Sequence, residues 1–158
     1  MFNRRMALIS AVLVMFFDLG SKNWIMRHFL VGANQPITPW FSLVYARNTG
    51  AAFSLLANQP GWQRGFFTAI ALGASIIILI LLRKKNFSLL ASIGLGLILG
   101  GALGNAIDRM ALGYVVDFLW FHVQQYSWPA FNVADSAIDL CAALLLWDNF
   151  HQSKPHTN

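Results

Sequence analysis

At 158 residues the chain has the length of one ordinary domain, yet 57% of it is hydrophobic and only 11% is charged, against roughly 25% charged in a typical soluble domain. That composition belongs to a membrane protein. The net charge of +5 would suggest nucleic acid in a soluble chain, but Arg4, Arg5, Arg83, Lys84 and Lys85 flank apolar runs, where basic residues act as topology signals, so nucleic acid is excluded as a partner.

Four segments approach the ~20 residues needed to cross about 30 Å of hydrocarbon: about 6–26, 64–82, 88–107 and 133–150. The first, MALISAVLVMFFDLGSKNWIM, follows Arg4 and Arg5. Because no A-x-A-like cleavage site follows its apolar stretch, it reads as a retained helix rather than a secretory signal. The second segment ends in RKK, and the third begins three residues later. The positive-inside rule therefore puts the 83–87 turn and both termini in the cytoplasm. Without a repeat, linker or low-complexity tract, the expected fold is an all-α membrane protein, one domain over 1–158 with four transmembrane helices and a polar tail from 151.

The connections at about 27–63 and 108–132 then face outward. FSLVYARNTGAAFSLL predicts two short strands around a turn at Asn48, Thr49 and Gly50, and LWFHVQQYSWPAF alternates weakly and is rich in aromatics. Both read as parts of a small extracytoplasmic cap containing β structure. Trp40, Trp62, Trp120, Trp128, Tyr45 and Tyr126 fit an aromatic belt at headgroup level, with a substrate-gripping role for one or two of them as the alternative. In the third segment Gly96, Gly100 and Gly104 recur every four residues, a spacing that lets a neighbouring helix approach closely. Cys141, the single cysteine, lies in an apolar helix and reads as a small packing residue.

All six acids are aspartates: Asp18, Asp108, Asp117, Asp135, Asp139 and Asp148. With this topology, Asp18, Asp108, Asp117 and Asp135 collect at the outer face. An aspartate at bilayer depth costs several kcal/mol unless paired and so suggests function, but each has a structural alternative. Asp18 and Lys22 have the helical ion-pair spacing. Asp108 adjoins Arg109, which can serve it or a neighbouring carboxylate. Asp135 reads equally as a cap on the last helix and as a catalyst. Asp117 is harder to explain structurally. It lies in VVDFLWF with no basic residue within seven positions, so burial should raise its pKa. If folding brings it to Asp135, the pair would share a proton, one acting as base and the other as acid toward water.

Other chemistries fare worse. His28, His122, His151 and His156 lack ligand spacing, and no metal or cofactor is expected. Ser21 and Lys22 point about 100° apart on a helix, which argues against a serine-lysine dyad. A proton-conducting or transporter subunit would distribute its acids through the membrane, and a purely structural assembly protein would not call for Asp117 in an apolar run.

DLGSK (18–22), NTGAAF (48–53), GGALGNAIDR (100–109), VVDF (115–118) and FNVADS (131–136), in this order, resemble the motifs of bacterial lipoprotein signal peptidases, the signal peptidase II family. The resemblance covers all but the tail. It implies an aspartyl endopeptidase of the bacterial inner membrane, probing substrates at its extracytoplasmic face. It would cut prolipoproteins before their diacylglyceryl-modified cysteine, as a monomer among membrane lipids. The family's catalytic aspartates fall on Asp117 and Asp135. Asp18, Lys22, Asn48, Gly50, Asn105, Asp108, Arg109 and Asn132 fall on positions that line or support the site. Asp139 lies outside the matched motifs, and its role stays open.

Overall fold

The computed structural model describes residues 2–50 and 61–152. Four long helices, α1 (Phe2–His28), α2 (Trp62–Lys84), α3 (Leu89–Leu112) and α4 (Val133–Gln152), carry a four-stranded antiparallel sheet. Its strands, β1 (Asn34–Thr38), β2 (Phe41–Asn48), β3 (Val115–Val123) and β4 (Tyr126–Ser127), lie in chain order. By length and composition α1, α2 and α3 can cross a membrane. Large apolar side chains such as Val12, Phe16, Ile76, Ile77 and Leu146 point outward, a surface suited to lipid rather than water.

The central helix is α3, which packs against α1, α2 and α4. Glycine makes this possible on two faces. A Cβ at Gly96 or Gly100 would run into the Ala7 or Ala11 carbonyl, and one at Gly104 would meet the Asp18 carboxylate. This is the close approach predicted from the four-residue spacing. A second ridge, Gly94 and Gly101, was not read from the sequence. It faces α4 at Cys141, Leu145, Ala134 and Ile138, and Cys141 is fully buried there as a packing residue.

The sheet sits where α1 and α3 end and α4 begins. β2 pairs with β1 on one side and β3 on the other. The sequence reading missed β1, whose NQPIT is almost entirely exposed; as an edge strand it tolerates Pro36. The strand predicted after Gly50 lies outside the described residues. Val116 and Phe118 on β3 join Ile25 and Tyr45 in a buried cluster that seats the sheet on α1. Tyr45 is therefore not part of an aromatic belt: it is 5% exposed, and its hydroxyl lies 3.2 Å from that of Tyr114. Trp40, Trp62, Trp128 and Tyr126 are exposed as expected, whereas Trp120 is half-buried with its ring 4.4 Å from that of His122.

Candidate active site

Strand alternation delivers Asp117. Its neighbours Val116 and Phe118 enter the apolar cluster, so Asp117 takes the opposite face of β3, where it is 3% exposed. Opposite Val115 in the register stands Asn48, diagonal to Asp117 and within side-chain reach. Asn48 Nδ2 donates to Asp117 Oδ2 at 3.0 Å.

Asp135 arrives by a separate route. After β4 the chain returns along β3, with Phe131 N–H donating to the Leu119 carbonyl and the Phe131 carbonyl accepting from Phe118 and Leu119. Asn132 then caps α4. Its Oδ1 accepts from Asp135 N–H at 3.0 Å, and Asp135 Oδ2 accepts from Asn132 N–H at 3.3 Å. This is a capping box built from Asn and Asp. Asp135 thus takes part in the cap without being the N-cap residue itself. Asn132 is the cap, Asp135 uses one oxygen to close the box, and its Oδ1 accepts from Asn105 Nδ2 at 2.8 Å.

Asn132 also joins the two acids. Fully buried, it donates from Nδ2 to Asp117 Oδ1 at 2.7 Å while its other side-chain atom holds the Asp135 N–H. The orientation of both amides around Asp117 is fixed by backbone donors, because Asn48 Oδ1 accepts from Gly50 N–H at 2.9 Å. Each oxygen of Asp117 thus receives an amide donor. Burial, reinforced by the Asp135 charge, still pushes Asp117 up to about 7, against those two hydrogen bonds and the charge of Lys22.

Beneath this pair lies a buried ion cluster. Lys22 Nζ is 2.7 Å from Asp18 Oδ2 and 3.0 Å from Asp108 Oδ2, and it donates to Asn105 Oδ1 at 2.9 Å. Each partner reaches onward to the site. Asp18 Oδ1 accepts from Ala134 N–H in the first turn of α4, Asp108 Oδ2 accepts from Val116 N–H next to Asp117, and Asn105 holds Asp135. Arg109 donates to the Gly50 carbonyl at 2.8 Å and lies over the Phe67 ring. Its buried Nε has no hydrogen-bond partner among the described residues. Ser21 bonds back to its own helix and takes no part in the cluster.

Comparison with known proteins accounts for this arrangement. Residues 10–151 match the family model for signal peptidase (SPase) II. The chain is 48% identical over 141 residues to the lipoprotein signal peptidase of Yersinia enterocolitica, covering 89% of this chain and 83% of that one. It is 47% identical over 142 residues to that of Burkholderia mallei, covering 90% and 86%.

The chain belongs to the signal peptidase II family.

Its fold agrees. A bacterial membrane enzyme solved by the in meso method at 2.3 Å superposes with a TM-score of 0.84 at 28% identity, covering 96% of this chain and 93% of that one. A second, at 1.9 Å, gives 0.77 at 30% identity with 90% of each covered. Signal peptidase II enzymes are aspartic peptidases, and Asp117 and Asp135 here line one cavity of about 320 Å³ together with Asp139. Trp128, Phe131 and Ile138 form its apolar wall, with Asn48 beside the acids. Of this wall only Trp128 was singled out from the sequence, among the interfacial aromatics; Phe131 on the return loop and Ile138 on α4 carry no distinctive pattern. Of the expected site residues, Asp18, Lys22, Asn48, Gly50, Asn105, Asp108, Arg109, Asn132, Asp117 and Asp135 all meet in the one network described above. Asp139, one turn along α4, also borders the cavity but is exposed. Residues 51–53 of the NTGAAF motif lie outside the described residues.

Proposed function

We propose that this chain is a membrane aspartyl endopeptidase that cleaves diacylglyceryl-modified prolipoproteins before the lipidated cysteine, with Asp117 and Asp135 as its catalytic pair. The observation that carries the proposal is the single buried amide, Asn132, that binds Asp117 and caps the turn bearing Asp135, so that both carboxyl groups face one cavity. Asp117, at about 7, holds the proton in the resting site, and Asp135 is the base that takes a proton from the attacking water. The Asp117 proton passes to the carbonyl oxygen as the water oxygen bonds to the carbonyl carbon. The proton gained by Asp135 then goes to the leaving amine as the C–N bond breaks, while Asp117 takes back the proton of one gem-diol hydroxyl as the new carbonyl forms. Asn48, which lines the cavity beside the acids, can donate to an oxygen of the tetrahedral intermediate.

The membrane setting follows from charge and surface. α4 is the fourth span of a single domain, the termini and the Arg83–Lys85 turn are cytoplasmic, and the sheet and dyad lie at the extracytoplasmic face of the bacterial inner membrane. The three consecutive basic residues at the α2–α3 turn and the outward apolar side chains support this reading. The enzyme acts as a monomer in contact with lipid. The acids of the network gather at one end of the bundle, which favours a hydrolytic site over an ion path through the membrane.

The decisive experiment is incubation of the purified chain with a diacylglyceryl-modified prolipoprotein and mass measurement of the products. Cleavage before the modified cysteine is expected, and an intact substrate or a cut elsewhere overturns the reading. A cysteine at Asn86 should react with impermeant reagents only from the cytoplasm, and one at Gln125 only from outside.

A further inference from the structure

At the end of the bundle opposite the dyad, a second cavity of about 260 Å³ opens between the start of α1, the end of α2 and the turn into α3. Asn3 Nδ2 donates to the Phe87 carbonyl at 2.8 Å and ties α1 to that turn. Arg4, Arg83 and Lys85, one from each segment, converge on the opening, and no acidic residue lines it. The first turns of α1 and α3 border the cavity through Asn3, Arg4 and Ser92, so their dipoles add to the positive field. Ser92, 1% exposed, adds a buried hydroxyl to the lining.

Topology signalling alone requires basic residues near the turn, but it does not require them to surround a hollow. Arg5 and Lys84 are equally basic and do not line it. Along α3, Ser92 lies about 20 Å from Asn105 at the dyad, so the cavity is separate from the peptidase site. Its chemistry suits a phosphate group. Leu82 lies in its lining, and exposed Leu89, Leu79 and Ile80 border the same end of the helices, apolar surface along which acyl chains can run. We infer that this cavity binds the phosphate headgroup of an anionic phospholipid from the leaflet on the side of the Arg83–Lys85 turn.

The test is native mass spectrometry of the purified full chain with added phosphatidylglycerol or phosphatidylcholine of identical acyl chains. A headgroup held by three cations should show at least about tenfold preference for the anionic lipid. The combined variant Arg4→Gln, Arg83→Gln, Lys85→Gln should lose that preference. A control with the same loss of charge, Arg5→Gln, Arg27→Gln, Lys84→Gln, should keep it. Each single substitution at Arg4, Arg83 or Lys85 should weaken binding severalfold, so the result does not depend on the triple variant folding. Equal binding of the two lipids, or equal loss in the control, would overturn the inference in favour of diffuse charge attraction. Displacement of the lipid by excess inorganic phosphate would assign the cavity to a soluble anion instead. Prolipoprotein cleavage by these variants should be unchanged, so the outcome is separable from that of the peptidase proposal.

Discussion

Replacing Asp117 by asparagine separates the charge of this residue from its shape. The gap between an ordinary aspartate at 3.8 and about 7 corresponds to roughly 4 kcal/mol against the ionised form in the folded protein. The native carboxyl retains a proton that the unfolded chain releases above about pH 4, so wild-type stability falls as pH rises from about 4 to 7, by at most about 1.4 kcal/mol per pH unit, and levels off above 7. Asparagine does not titrate and removes that dependence. It also sets an NH₂ against Asn48 Nδ2 or Asn132 Nδ2, neither of which can turn without releasing the backbone N–H of Gly50 or Asp135. That mismatch costs about 1–3 kcal/mol at every pH. Asp117→Asn should therefore be less stable than wild type near pH 4 and more stable near pH 8, the difference changing sign in between. Thermal unfolding of both proteins in detergent across this range measures it, alongside cleavage rates expected to fall about 10²–10⁴-fold. Unfolding curves that stay parallel at all pH values would refute the buried-charge reasoning, and near-normal turnover would refute the catalytic assignment.

Asp135→Asn should abolish cleavage to the same degree, and the double variant should be scarcely worse than either single one, because the two act as a unit; additive rate losses would separate them. Cleavage by the wild type should decline as pH rises through about 7, where Asp117 gives up the proton the pair shares, and a profile still climbing at pH 9 would contradict the assignment. Lys22→Met leaves Asp18 and Asp108 facing each other without their ammonium, so a loss of about 3–5 kcal/mol is expected; an unchanged melting temperature would show that the cluster is not stabilised as described. Asp139→Asn should keep most activity, since the exposed Asp139 borders the cavity outside the amide network, whereas a loss as complete as for Asp135→Asn would make it part of the catalytic machinery.

The helices were legible because burial in lipid demands long apolar runs: the predicted segment at about 64–82 falls inside α2, and that at about 88–107 starts at the N-cap of α3 and stops five residues short of its end. Gly96, Gly100 and Gly104 were legible because close approach leaves a fixed spacing. Gly94 and Gly101 were not, since a seven-residue separation within a glycine-rich helix does not stand out. The local pair Asp18–Lys22 could be read from its i, i+4 spacing, but the third member, Asp108, and the bond to Asn105 join residues more than 80 positions apart. Separation of that kind leaves no periodicity. Tyr45 was misassigned because an aromatic residue near a membrane surface looks the same whether it packs beneath a sheet or faces headgroups; the register shift of β2 between Leu43 and Ala46, across which Ser42 and Tyr45 are both buried, breaks the alternation that could have told them apart. Asp135 carried two readings because cap and catalyst use the same helix position; the structure gives the N-cap to Asn132 and has Asp135 close the box with one oxygen, the other held by Asn105.

The charge of the network bears on how such a pair is kept ready. Four carboxylates, Asp18, Asp108, Asp117 and Asp135, gather with two cations, Lys22 and Arg109. Lys22 is taken up by Asp18 and Asp108, and Arg109, bonded to backbone carbonyls of Asn105 and Gly50, acts on Asp108, Asp117 and Asp135 only through its field. With every acid ionised, two negative charges would lack compensation in a site where an isolated charge is costly. One proton held between Asp117 and Asp135 removes one of them, and the amide donors of Asn48, Asn105 and Asn132 accommodate the other. The fold itself thus favours the singly protonated dyad before substrate arrives. A cation placed in the cavity, for example by Ile138→Lys, should therefore lower the Asp117 pKa and shift the alkaline limb of the cleavage profile downward, whereas an unmoved limb would show that the proton is held by something other than this balance of charge.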